Sequence, residues 1–200
     1  KFIESRFSTH SSAGNHLIVE AVGLFWVGRA RENTDIGRRW IHTSRGILEK
    51  EAIRQINPDG TNKEQSFWYL GFVLDAFLTY FLIEDLSRIS AKVWQRVEKM
   101  LEFVDDVTQA EGIYPDYGDR DDGFVFHLPG SYDVSPFPGL LNTGSLFFGR
   151  TEWHRGGTDA EKRVAFWSEK GLERETAQEW THKESEGSRE PFIKTYREGG

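Results

Sequence analysis

The chain has no cysteine, one methionine, six prolines in 200 residues and a net charge of −7. Without cysteine there can be no disulfide and no Cys-ligated zinc, although the absence leaves the compartment open. The acidic balance argues against nucleic acid as the main partner, because phosphate binding rests on Lys and Arg. Long apolar runs are also scarce. The best is FWYLGFVLDAFLTYFLI, which carries Asp75 near its middle. A membrane span needs about 20 apolar residues and tolerates central charge poorly. A buried helix fits better. The start at Lys1 and the end at TYREGG read as a piece of a longer protein.

What is present is aromatic and helical in texture. Seven Trp, six Tyr and 15 Phe, with 38% hydrophobic residues, are enough for a real core. Residues 10–30 open with small polar residues and continue with Leu17, Val19, Leu24 and Val27 at helical spacing. Residues 34–56 place Ile36, Trp40, Ile47, Ile53 and Ile56 near one stripe, with Thr34 or Asp35 as the cap and Gly37 and Gly46 permitting close contact. Asn57-Pro58-Asp59-Gly60 is a turn. A helix is expected over roughly 62–84, with Asn62, Gln65, Ser66 and Tyr69 forming a polar stripe on its first turns. Residues 89–110 form the clearest amphipathic helix, with Val93, Val97, Met100, Leu101 and Val104 on one face.

Beyond Gly112 the text turns rich in Gly, Pro, Asp and Tyr, as an ordered loop would be. Shorter helices are expected near 140–149 and 158–178, followed by a linker. Long helices joined by short connections predict an all-α fold, either a bundle or an (α/α) toroid of antiparallel helices. Charge is uneven: Arg29, Arg31, Arg38, Arg39, Arg45, Lys50 and Arg54 cluster in one stretch, and acidic residues crowd 98–122.

From spacing alone the polar stripe reads as capping, with Asn62 at the helix start, Glu64 in the first turn and the Tyr69 hydroxyl on a carbonyl. Two motifs together say more. Asn15-His16 runs into Glu20-Ala21 and Gly23-Leu24, and Asp59-Gly60 is followed by Glu64, Ser66 and Tyr69. This pair resembles the helical domain of the heparinase II/III-like and alginate-lyase-like polysaccharide lyases, and YGDRDDG at 117–123 resembles a loop of the same family. The resemblance spans most of residues 8–150.

The resemblance implies β-elimination on a 4-linked uronic-acid polysaccharide of heparin/heparan or alginate type. Removing the C5 proton builds negative charge beside a carboxylate, so that carboxylate must first be neutralised or hydrogen-bonded. Asn15 matches the residue that does so, His16 matches its assistant, and Tyr69 matches the proton-transferring tyrosine. Gln65, Asp119 and Asp122 are candidate substrate-binding residues. A phenol with pKa ~10 is a poor base near neutrality unless cations lower it, and the arginines of 29–45 are the candidates.

The expected architecture is an incomplete (α/α) toroid over 1–185, with 186–200 leading to a β-sandwich that this chain lacks. The family's β-sandwich histidine finds no match in His127 or His154, so these residues alone are expected to be catalytically incomplete. No metal or other cofactor is expected here, since the histidines lack ligand spacing; a divalent metal would belong to the β-sandwich. The implied partners are an acidic polysaccharide or oligosaccharide and that β-sandwich, with no nucleic acid or membrane. The implied location is periplasmic or secreted. Two alternatives stay open. Asp116, Asp119, Asp121 and Asp122 could hold calcium or supply the carboxylate pair of an α/α-barrel glycoside hydrolase. The chain could also be a non-catalytic carbohydrate-binding or polysaccharide-biosynthesis protein.

Overall fold

The computed structural model describes residues 2–10, 13–108, 113–120, 123–126 and 135–156. Five α-helices carry the structure: α1 (Asn15–Ala30), α2 (Asp35–Gln55), α3 (Phe67–Ile83), α4 (Ala91–Val107) and α5 (Phe137–Phe148). The described residues contain no β-strand. The expected helix at 158–178 and the boundary at 185/186 lie outside the described residues.

The helix starts follow capping chemistry. Thr34 Oγ1 accepts from Gly37 N at 3.1 Å, Ser66 Oγ from Tyr69 N at 3.2 Å, and Ser90 Oγ from Val93 N at 3.4 Å. α5 follows Pro136 as N-cap, carries Pro138 in its first turn where a missing N–H leaves nothing unsatisfied, and stops at Gly149 in the left-handed conformation, φ 63°.

Successive helices run antiparallel. At one end of α1 and α2, Gln55 Nε2 donates to Ala13 O at 2.9 Å, and at the other Gly28 packs on Ile41. Phe67 and Phe81 of α3 meet Phe103 and Trp94 of α4, in reverse order along the chain. Trp94 and Leu101 of α4 meet Phe148 and Gly144 of α5. The odd helices are therefore parallel to one another. Asn15 lies beside Glu64, just before α3, and Phe25 packs edge-on to Tyr80 at 5.0 Å. Phe137 of α5 stacks near Phe67 at 4.3 Å.

These contacts sort the helices into two layers. In one, α3 lies between α1 and α5, and α2 packs on α4 in the other. α3, central in its layer, is buried along nearly its whole length, from Phe67 to Phe81. Its Asp75 carboxylate accepts the N–H groups of Val125 (2.8 Å) and Phe126 (2.9 Å), which satisfies a buried charge with backbone donors. No helix among the described residues is long and apolar enough to cross a membrane.

Four expectations need correction. α3 starts at Phe67, not near 62. Asn62 lies in a turn where its Oδ1 accepts Glu64 N at 2.8 Å, and Gln65 has φ 55°, which a helix cannot hold. The polar residues of 62–66 are thus a shaped loop, and only Tyr69 of that set is helical. On α2 the buried stripe is Gly37, Trp40, Ile41, Ser44, Leu48, Glu51, Ala52 and Gln55, whereas Ile53 is 44% exposed. Gly37 does permit a close approach, since a Cβ there would lie 2.0 Å from Arg31 O, but Gly46 faces open space. Val27 of α1 is exposed.

Candidate functional site

Parallel odd helices bring their first residues to one end of the structure, and the candidate residues gather there. Asn15 is the first residue of α1 and 8% exposed. Its backbone N donates to Glu64 Oε1 at 2.7 Å and its Nδ2 to Glu64 Oε2 at 2.8 Å. Glu64 therefore caps α1 from a segment 49 residues away, where Gly14 offers no capping side chain. His16, about 100° further around the helix, is exposed.

The chain leading into Asn15 is fixed by the last turns of α2. Gln55 Nε2 reaches Ala13 O (2.9 Å) and Gly14 O (3.1 Å), and an Arg54 guanidinium N–H reaches Ala13 O at 2.7 Å. Both side chains are held by Glu51 Oε2, each at 2.7 Å. Glu51 is 3% exposed, so its charge is matched by the Arg54 guanidinium and the Gln55 amide.

Tyr69 emerges half-buried from the first turn of α3, its backbone N capped by Ser66. The segment 113–120 docks on this helix start. Ser66 Oγ donates to Asp119 O at 2.5 Å, Phe67 N to Tyr117 O at 3.1 Å, and Trp68 Nε1 to Asp116 Oδ1 at 2.8 Å. Arg120 lies over the Trp68 ring, 4.4 Å from its centroid. Gly118 makes the close approach possible: with φ +75°, any Cβ would sit 2.7 Å from Gln65 O. Ser66 thus serves two partners at once. Ser66→Ala is expected to cost about 1–2 kcal/mol, read from urea denaturation. A loss below about 0.5 kcal/mol would contradict this dual role.

Of the sequence candidates, Asn15, Gln65, Tyr69 and the backbone of Asp119 lie at this end, with Gln65 and Asp119 exposed. Asp121 and Asp122 fall outside the described residues, as does His127. The arginines of 29–45 are placed elsewhere. Arg29 pairs with Glu32 (2.9 Å), Arg38 with Asp35 (2.6 Å), Arg39 with Glu4 (2.7 Å) and Arg45 with Glu84 (2.6 Å). Glu84 lies about 22 Å along α3 from Tyr69, at the opposite end. The guanidinium groups at the Tyr69 end include Arg54, paired with Glu51, Arg120, and Arg155, paired with Asp105. Burial pushes the phenols of Tyr114 and Tyr117 above their ordinary value, the direction that makes a tyrosine a poorer base.

The pattern of the Heparinase II/III N-terminus family matches residues 1–125. The chain belongs to this family. Its matched region takes in α1 to α4 and the docked segment 113–120, hence Asn15, His16, Glu64, Tyr69 and Asp119. Membership sets the chain in a polysaccharide-lyase context. No curated protein and no solved structure matches it. Sequence reasoning missed Glu51, Arg54 and Gln55, which anchor the start of α1. Their signal was the period of α2 itself, which puts 44, 48, 51 and 55 on one line.

Proposed function

We propose that the full-length protein is a lyase that cleaves 4-linked uronic-acid polysaccharides by β-elimination. The observation that carries this reading is the pairing at one end of parallel helices. Asn15 is clamped at α1 through Glu64, and Tyr69 leaves the first turn of α3 five residues after Glu64. In this reading the Asn15 amide donates to the uronate carboxylate and lowers the cost of the enolate that forms when C5 loses its proton. His16, exposed on the next position, adds a second donor. Tyr69 takes the proton from C5, returns one to the departing O4, or does both. Arg120, stacked on the neighbouring Trp68, adds positive charge at this end of α3. Gln65 and Asp119 line the path of the sugar chain, and Asp122 is the third substrate-binding residue in this reading.

The two-layered array is one arc of an (α/α) toroid, with its sugar groove at the end where the odd helices begin. The catalytic unit extends beyond these 200 residues to a β-sandwich that supplies a further histidine. The test is to incubate the full-length protein with heparan-type and alginate-type polymers and follow the ultraviolet absorbance of the unsaturated uronate product. Absorbance should rise on a uronate polymer, and the 200-residue chain alone should give none. New reducing ends without unsaturation would mean hydrolysis, and binding without cleavage would mean a carbohydrate-binding protein. Either would end the lyase reading.

A further inference from the structure

We propose that Glu64 is the positioning residue for Asn15, an inference that rests on the lyase reading. Its carboxylate meets Asn15 twice, accepting the backbone N–H at 2.7 Å and the side-chain amide at 2.8 Å. A carboxylate only accepts hydrogen bonds, whereas a primary amide has an NH2 end that donates and an oxygen that accepts. Contact with Glu64 therefore decides which way the amide faces. The NH2 group turns to the carboxylate, using one N–H and presenting the second to a substrate oxygen. Without Glu64 the amide is free to flip, and half of its orientations offer an oxygen to an anion.

The surroundings are built to hold that carboxylate in place. Glu64 N is fixed by Asn62 Oδ1 at 2.8 Å, and Lys63 N by Gln55 O at 3.0 Å. Asn62 bridges to Ile56, at the end of α2. The left-handed backbone of Gln65 (φ 55°) then turns the chain, so that Glu64 faces α1 while Ser66 opens α3. On the other side, Gly14 leaves the space the carboxylate occupies: a Cβ there would lie 1.8 Å from Glu64 Oε1. Residues 13–14 are pinned by Arg54 and Gln55, so they cannot back away without breaking those bonds. Helix capping alone would need one acceptor on the Asn15 backbone N–H. The second bond, to the side chain, is what a positioning role adds.

The test measures kcat and KM in the full-length protein, on the uronate polymer the wild type cleaves. The variants are Glu64→Ala, Glu64→Gln, Gly14→Ala, Asn15→Ala and the Glu64→Ala/Asn15→Ala double. An amide that acts on the transition state should be lost mainly from kcat. Glu64→Ala is expected to lower kcat about 10–10²-fold and to change KM less than about threefold. If Glu64 acts through Asn15, the double variant is no slower than Asn15→Ala alone. Glu64→Gln, which keeps one acceptor oxygen, should recover part of the rate. Gly14→Ala keeps the carboxylate but displaces it, so it should lower kcat in the same direction. It decides the matter with Glu64→Gln if Glu64→Ala does not fold. A kcat for Glu64→Ala within about twofold of wild type, or losses that multiply in the double, would overturn the positioning role. Those results, with Asn15→Ala inactive, leave the lyase reading standing. A fully active Asn15→Ala, or no turnover on any uronate polymer, removes both.

Discussion

Replacing Tyr69 by Phe in the full-length protein is expected to lower kcat by about 10²–10⁴-fold, the range a positioned acid or base supplies. The substitution removes one hydroxyl and keeps the ring, so the half-buried packing of the α3 first turn is preserved. Its backbone N–H still meets Ser66 Oγ. Polysaccharide binding should therefore stay near the wild-type level, measured by calorimetry with an oligosaccharide of the cleaved polymer. Loss of both binding and turnover would mark Tyr69 as a binding residue. Retained turnover would mean that the proton passes through another group. The pH profile adds a second reading. A phenol that serves as base must be deprotonated in the working enzyme, so the acidic limb of kcat/KM reports its pKa.

Gly60→Ala should cost about 3–5 kcal/mol of folding stability, the largest single loss expected outside the core. Gly60 has φ +88°, and left-handed backbone costs a residue with a Cβ about 1–2 kcal/mol. The larger part is contact. A Cβ at Gly60 would lie 2.0 Å from Lys99 O and 2.4 Å from Lys99 C, backbone atoms of α4 that cannot rotate aside. The turn must then lift from the helix, although its internal bonds hold it together. Gly60 N donates to Asn57 O at 3.0 Å and Asn57 N to Thr61 O at 2.8 Å. Urea denaturation would read the loss, and Gly46→Ala is the control. Gly46 is mid-helix with open space around it, so alanine there should be neutral or stabilising by up to about 1 kcal/mol. A Gly60→Ala loss of about 1 kcal/mol or less would show that the turn does not press on α4.

How much was legible in the sequence depended on whether a local rule decided the outcome. α4 was fully readable: Val93, Val97, Met100, Leu101 and Val104 are all buried, as one apolar face against charged neighbours requires. α2 was readable as a helix but not in its orientation. Its inward line carries Ser44, Glu51 and Gln55, whose burial depends on partners in α1 and its approach. Apolar counting therefore placed Ile53 inside. The start of α3 misled for a related reason. Asn62, Gln65, Ser66 and Tyr69 are spaced as in a helix, yet the Asn62 turn and the left-handed Gln65 break it before Ser66. The candidate residues Asn15 and Tyr69 stand out through family pattern, not local physics. The bond from Glu64 to Asn15 crosses 49 residues, and no local rule announces such a contact. The same holds for the arginines of 29–45, crowded in sequence but set by helix direction at the far end.

The common direction of α1, α3 and α5 has an electrical consequence. Peptide dipoles aligned along a helix leave roughly half a positive elementary charge at its N-terminus. Three such ends lie together; the Glu64 carboxylate offsets the one at α1, and the negative C-terminal ends of the antiparallel α2 and α4, at the same face, offset part of the others. Whole-chain charge therefore says little about the field at this face. In physiological salt such a field fades within about 8–10 Å, so only an anion seated against the helix ends would feel it.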